Sequence, residues 1–278
     1  MNAALDNYFR NAIEKVEREA WFDLFAAAPE EYVRHSKNSS TRIGTSVALA
    51  DPGTPIYEFN RVLGLGSDNP VSQAELEPAI AWMNEHAAPS YALQIAPAAR
   101  LGTFEEQVQA NGFNRTGNGL AKFYRDARAA ESHPQPSSIE VKLVIPHHAA
   151  DFGYAVQAGF GLPASVIPWF TALVGRPKWN VYVAYDGHLP VACGAMFMDH
   201  NWAWFGIDAT VSEYRGRGAQ NAIIKRRITD GIDAGVIGFT AETGQPSEGE
   251  ENQNKSYCNY QRAGFTRQYI RPNYVNRS

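Results

Sequence analysis

The chain has 278 residues, 44% of them hydrophobic and 12% aromatic, enough for one or two globular units with real cores. With 19% charged residues and a net charge of -4, its composition excludes a disordered tail and speaks against nucleic-acid binding. No apolar run is long enough to cross a bilayer, and the acidic start (Asp6, Glu14, Glu17, Glu19) does not read as a signal peptide. The two cysteines, Cys193 and Cys258, have neither metal-ligand spacing nor a disulfide framework, so no metal is expected and a reducing, cytoplasmic setting is the expectation.

In chain order, residues 7–25 place Tyr8, Phe9, Ile13, Val16, Trp21, Leu24 and Phe25 at helical spacing. Strand-like runs follow at 45–49 and 56–63. A helix over 73–85 is predicted from Ser72 as N-cap and Glu75 three residues on, the pattern of a capping box. A short strand at 91–95, a helix at 104–110 closed by Asn111-Gly112, and a strand at 119–124 complete this part.

The stretch 126–138 carries two prolines, three serines and no bulky apolar residue, which marks an exposed linker. It sets the expected organisation: a domain over 1–126, a linker over 127–137 and a second domain over 138–278. In the second, strands are expected at 139–145, 179–185, 189–198 and 201–211, with Asp186-Gly187 signalling a hairpin. A long helix over 216–234 buries Ala219, Ala222, Ile223, Ile228 and Ile232, with Gly235 at its stop. Lys225-Arg226-Arg227 on this helix reads as a solvated face. A strand at 236–240, a short helix at 254–263 and a strand at 265–274 that closes the sheet follow. The fold class is α/β, of the α+β mixed-sheet kind, with helices flanking each sheet.

The densest chemical signal is Thr210-Val-Ser-Glu-Tyr-Arg-Gly-Arg-Gly-Ala-Gln220: a strand end, a turn rich in Arg and Gly, then at once a helix. Amides of such a turn and of a helix's first turn converge on an anion. Gly216 and Gly218 allow close approach of the backbone, and Arg215 and Arg217 add mobile positive charge at the rim. The Lys-Ser/Thr of a triphosphate and magnesium site is missing, which favours a pyrophosphate held without metal.

This segment resembles the coenzyme A pyrophosphate loop of the GNAT superfamily of N-acyltransferases, Arg/Gln-x-x-Gly-x-Gly/Ala, with Arg215 and Gly218 matching and Gln220 at the final position. Asn254-Lys-Ser-Tyr-Cys-Asn-Tyr-Gln-Arg-Ala-Gly-Phe265 is similar to the family's second signature through Tyr260 and Gly264-Phe265. Residues 58–113 resemble a degenerate copy of the same order, ending in Asn111-Gly-Phe113. There Gly66-Ser-Asp-Asn-Pro70 stands in place of the Arg/Gly loop, so one working cofactor site is expected. The resemblance thus implies two GNAT-like domains, the second an acetyl-CoA-dependent N-acetyltransferase.

By the same resemblance the cofactor would be met by Ala209, Thr210, Val211, Arg215, Gly216, Arg217, Gly218, Ala219 and Gln220. Asn254, Ser256 and Asn259 either hydrogen-bond its arm or cap the helix. Amides near 209–211 would steady the oxyanion. Tyr260 is either the acid that protonates the leaving thiolate or a packed aromatic. Glu242 is either the base or a cap for Thr243-Gly244, and Asp208 either the base or the partner of a buried turn. Trp202, Trp204 and Phe205 read as an acceptor wall or as strand core, and His147-His148 as a solvated loop. The expected partner is a small-molecule or peptide amine, with no nucleic acid and no membrane, and monomer and homodimer both stay open. Rival readings are a non-catalytic acyl-CoA sensor and a transferase with an amino-acid or tRNA-linked donor.

Overall fold

The opening helical pattern becomes α1 (Ala3–Ala26) in the computed structural model of this chain, which describes residues 3–67, 73–96, 103–129 and 139–276. Ile13, Val16, Ala20 and Leu24 recur three or four residues apart and, with Trp21, are buried, whereas Phe9 is partly exposed. Then come α2 (Glu30–Ser36), β1 (Ser39–Ile43), β2 (Ser46–Ala50) and β3 (Arg61–Leu65). β1 is not among the expected strands, and the run expected from residue 56 becomes strand only at Arg61. Asn60 accounts for the delay: its buried amide donates to the carbonyls of Asp51, Thr54 and Ile56 and holds that segment as a loop.

α3 (Gln73–His86), β4 (Ala92–Ile95), α4 (Thr103–Ala110) and β5 (Phe113–Asp126) follow. Ser72, residues 68–70, residues 130–137 of the expected linker and residue 138 lie outside the described residues. Glu75 accepts from the Thr45 amide and the Ser46 hydroxyl, so its carboxylate braces the turn between β1 and β2.

The later elements are β6 (Glu140–Leu143), α5 (Ala149–Phe160), α6 (Ile167–Thr171), β7 (Trp179–Asp186), β8 (Leu189–Asp199), β9 (Trp202–Thr210), α7 (Ala219–Asp233), β10 (Gly238–Gly244), α8 (Lys255–Arg262) and β11 (Thr266–Asn276). Asp186-Gly187 makes the expected hairpin, with Asp186 opposite Leu189 and Gly187 at φ 61°. Gly235, at φ 83°, ends α7 as its position suggested.

Two compact units emerge: Met1–Ala26, Glu30–Leu120 and Tyr269–Ser278 form the first, Ala27–Pro29 and Ala121–Gln268 the second. In the first, the sheet runs β1-β2-β3-β4-β11, antiparallel except for the parallel pair β3/β4. β11 has β5 on one side and β4 on the other, and its segment from Tyr269 onward, expected to close the second sheet, pairs with β4, Asn273 opposite Gln94. Buried charge gives the reason. Glu14 and Glu17 on α1 are almost fully buried, and Arg271 binds both, at 3.0 Å from Glu14 and 2.9 and 3.0 Å from Glu17. Tyr269 adds a hydroxyl bond to Glu14 at 2.6 Å. Two interior carboxylates require such partners.

In the second unit the order is β5-β10-β9-β8-β7-β6, using the part of β5 from Ala121 onward. β6 to β9 form an antiparallel meander and β10 joins β9 in parallel. α7 and α8 cover one face through Ile223, Ile224, Ile228, Tyr257 and Tyr260 against Phe205, Phe239 and Phe123. α5 approaches β9 closely, since a Cβ on Gly159 would fall 2.6 Å from that of Ala209.

Candidate functional site

The second unit has a parallel strand pair that separates. β9 and β10 are in register from Trp202/Gly238 to Phe205/Ala241, and there the ladder ends, although β9 continues to Thr210 and β10 to Gly244. On the other side of β9, Cys193 faces Ala209 and Ala195 faces Gly206, so three steps on β9 answer two on β8. That extra residue is a β-bulge, and Ile207 sits in it at φ 57°, a left-handed conformation strained for a β-branched residue. The bulge bends β9 away from β10. In the first unit the equivalent pair, β3/β4, also shifts register between Val62 and Leu65, but among the described residues it stays joined to the strand ends, Ala96 donating to the Leu65 carbonyl at 2.9 Å.

Beyond Thr210 the chain makes a single 3-10 turn (Ser212–Tyr214) and enters α7 through Gly216 and Gly218, at φ 79° and 88°. Gly218 is the N-cap and brings no side chain to bond the first turn, so the amides of Ala219, Gln220 and Asn221 are left for an outside acceptor. Among the described residues no atom beyond the chain neighbours would lie within 4 Å of a Cβ on Gly216 or Gly218, so glycine there serves the left-handed backbone.

The surrounding side chains are more engaged in contacts than expected. Arg215 bonds the carbonyls of Thr210 at 3.2 Å and Gly159 at 3.1 Å, so it staples the loop to β9 and α5. Arg217 keeps the rim position, half-exposed over the Tyr214 ring and 3.6 Å from Asp186. Gln220 donates to Ser256 at 2.9 Å and accepts from Asn259 at 2.8 Å, tying the start of α7 to α8. Asn254 caps α8 by accepting from the Tyr257 amide and donates to the Gly244 carbonyl at the end of β10. The Val211 amide is spent on the Val191 carbonyl at 2.9 Å and does not serve an oxyanion; Ala209 and Thr210 remain on β9, opposite Cys193 and Ala192.

The three candidate catalytic residues fall on two faces. Asp208, delivered by the bulge, accepts the Tyr260 hydroxyl at 2.6 Å and lies in a shorter contact with Arg227. Burial pushes the Asp208 carboxyl up, against the pull of Arg227 and of the Tyr260 hydrogen bond. Burial, and then the Asp208 charge, holds the Tyr260 phenol well above its ordinary value. Its ring stacks on Phe123 and meets Phe265 edge-on. Glu242 is on the opposite face of β10 from Ala241, by strand alternation. Its carboxylate lies 3.6 Å from the ammonium of Lys122, which is fully buried. Thr240 shares that face, and its hydroxyl is buried with no hydrogen-bond partner among the described residues.

Arg227 and Lys122 were missed by the sequence reading. Arg227, expected on a solvated face, is fully buried, bonding the Ala195 carbonyl at 2.7 Å and lying 4.3 Å above the Phe205 ring. The available signal was spacing, because Arg227 falls four residues after Ile223 and four before Gly231, both buried. Ile232, expected inside, is partly exposed. Trp202, Trp204 and Phe205 are buried strand residues. His147 and His148 are exposed on a short turn, with His148 3.6 Å from Asp151. The Cys193 thiol is buried on the Ile207 carbonyl, and Cys258 bonds the Glu251 carbonyl.

Comparison with solved structures places this arrangement. A GCN5-related N-acetyltransferase from Kribbella flavida superposes with a TM-score of 0.60 at 14% identity, over 89% of this chain and 92% of that one. One from Sphaerobacter thermophilus gives 0.58 at 15% identity, over 72% of this chain and 66% of the other. A tandem GNAT protein from the clavulanic acid biosynthesis pathway gives 0.50 at 13% identity, over 73% and 68%. The chain has the tandem GNAT fold. Each unit is a GNAT-like mixed sheet flanked by helices, and the strand separation and the glycine-capped helix occur together in the second. No family model and no curated protein matches the sequence. No helix among the described residues is long and apolar enough to cross a membrane.

Proposed function

We propose that the second unit binds acetyl-CoA and transfers its acetyl group to a primary amine of a small molecule or peptide by direct attack. One observation carries this reading: the β9/β10 ladder ends at Phe205/Ala241 while α7 opens beside it on a glycine cap with free first-turn amides. The amides of Gly216–Gln220 and the Arg217 charge suit a pyrophosphate. The separated edge of β9 at Ala209 and Thr210 suits an amide-bearing pantetheine arm. The closed β3/β4 pair of the first unit favours a single cofactor site.

In the transfer, the attacking amine must be neutral, and a free alkylamine has a pKa of about 10.4, so a base is required. Glu242, 14% exposed at the end of the paired segment, is assigned that task, with Lys122 beside it. Tyr260 is assigned the proton that the thiolate takes, its hydroxyl turning from Asp208 to sulfur. Asp208 has both oxygens engaged by Arg227 and Tyr260, which favours an orienting role over that of base.

The test is calorimetry with acetyl-CoA on the full chain and on Gly218→Glu, whose carboxylate would stand in the anion site. Binding should disappear with the fold intact; undiminished binding would sink the loop assignment. Thiol release with a panel of amines, compared with Tyr260→Phe, then tests transfer. A second reading, a non-catalytic acyl-CoA sensor, is favoured by the burial of Tyr260 and the commitment of its hydrogen to Asp208. Tight binding without thiol release from any amine would select it.

A further inference from the structure

The strained bulge of β9 has to be held against relaxation into a regular strand, and a single buried side chain reaches both of its ends. From α7, Arg227 donates to the Ala195 carbonyl on β8 at 2.7 Å and to the Gly206 carbonyl at the start of the bulge at 3.5 Å. It also donates to the Asp208 carboxylate within the bulge. Asp208 passes the constraint on to Tyr260 of α8. Gly194, opposite the bulge, makes the room: a Cβ there would lie 2.7 Å from the Ile223 Cγ2, 2.9 Å from the Asp208 Oδ1 and 3.1 Å from the Arg227 Cζ. An arginine inside a helix–sheet interface is costly unless it is paired, and although the Arg227 Nε has no hydrogen-bond partner among the described residues, both terminal nitrogens are bonded. Here its partners are the atoms that define the opening.

We propose that Arg227 is a positioning residue: paired with Asp208, it fixes the bulged segment 206–208 and so shapes the edge of β9 that receives the pantetheine arm. The proposal rests on the reading of this cleft as a coenzyme A site. Arg227 touches neither the glycine loop nor the first-turn amides, so its influence is confined to the arm and leaves the pyrophosphate contacts alone.

The experiment uses two ligands on the full chain. Coenzyme A carries the arm, and adenosine 3′-phosphate 5′-diphosphate keeps the diphosphate without it. Calorimetry serves the first and amide chemical-shift titration the second. Arg227→Lys keeps the charge but loses the fork that reaches three acceptors. It should weaken coenzyme A by roughly tenfold or more while the truncated ligand binds as before. Gly194→Ala presses on the same pair from β8 and should give the same split, which covers the case in which Arg227→Lys does not fold. Unchanged coenzyme A affinity in the variants, or an equal loss for both ligands, overturns the proposal. Failure of the unmodified chain to bind coenzyme A would overturn the cofactor reading as well.

Discussion

Tyr260 gives its phenolic hydrogen to Asp208 across 2.6 Å, and the other carboxylate oxygen of Asp208 belongs to Arg227. Three elements, α8, β9 and α7, are thereby joined through one buried charge pair and one phenol. Tyr269 does the same for Glu14 in the first unit, where Arg271 plays the part of the cation.

Removal of the Tyr260 hydroxyl isolates the polar effect from packing, because Tyr260→Phe keeps the ring on Phe123 and Phe265. Asp208 would lose its donor in a buried setting, at a cost of about 1.5–3 kcal/mol. Urea denaturation of the second unit should record that loss; a change below about 0.5 kcal/mol would mean the hydroxyl is dispensable.

Alkaline pH should destabilise the chain through its tyrosines. Burial first, then a neighbouring carboxylate, raises Tyr260 beside Asp208, Tyr269 beside Glu14, Tyr182 beside Asp230 and Tyr185 beside Asp151. Tyr91 and Tyr274 are pushed up to about 12, mainly by burial. Unfolded tyrosine ionises near pH 10, so the unfolded chain sheds these protons first. The stability they provide is therefore whole below about pH 10 and lost as pH rises through the folded values, by up to about 1.4 kcal/mol per pH unit for each tyrosine. Urea midpoints at pH 9 and 11 should differ steeply, and less so in Tyr260→Phe.

Arg271→Leu leaves Glu14 and Glu17 facing each other in the interior of the first unit without their shared guanidinium. Loss of one member of a buried charge cluster costs about 3–5 kcal/mol. The substitution lies within the last eight residues of the chain, yet protease resistance of α1 should fall with it. Retained protection there would show that the C-terminal strand is not integral to that unit.

Lys122 and Glu242 should respond unequally. Glu242→Gln removes the facing negative charge from an ammonium that is fully buried, whereas Lys122→Met leaves a carboxylate with some access to water. The first substitution should therefore destabilise more than the second, and the double variant less than their sum. Additive losses in a thermal double-mutant cycle would count against a coupled pair.

Short-range patterns determined much of this protein. The Arg/Gly turn followed at once by an apolar helix announced α7 and its anion-ready start, because left-handed glycines and free first-turn amides follow from a dozen neighbouring residues. Asp186-Gly187 and Gly235 were legible for the same local reason. What only the tertiary structure decided depends on partners distant in sequence. Residues 269–276 read as one more alternating strand, and alternation does not say which edge a strand joins; the buried Glu14 and Glu17 decide that through Arg271. Arg227 looks like any helix-surface cation until the bulge at Ile207 turns Asp208 toward it. A buried charge is tolerated only where its neutralising group arrives in space, and no spacing rule along the chain encodes that arrival.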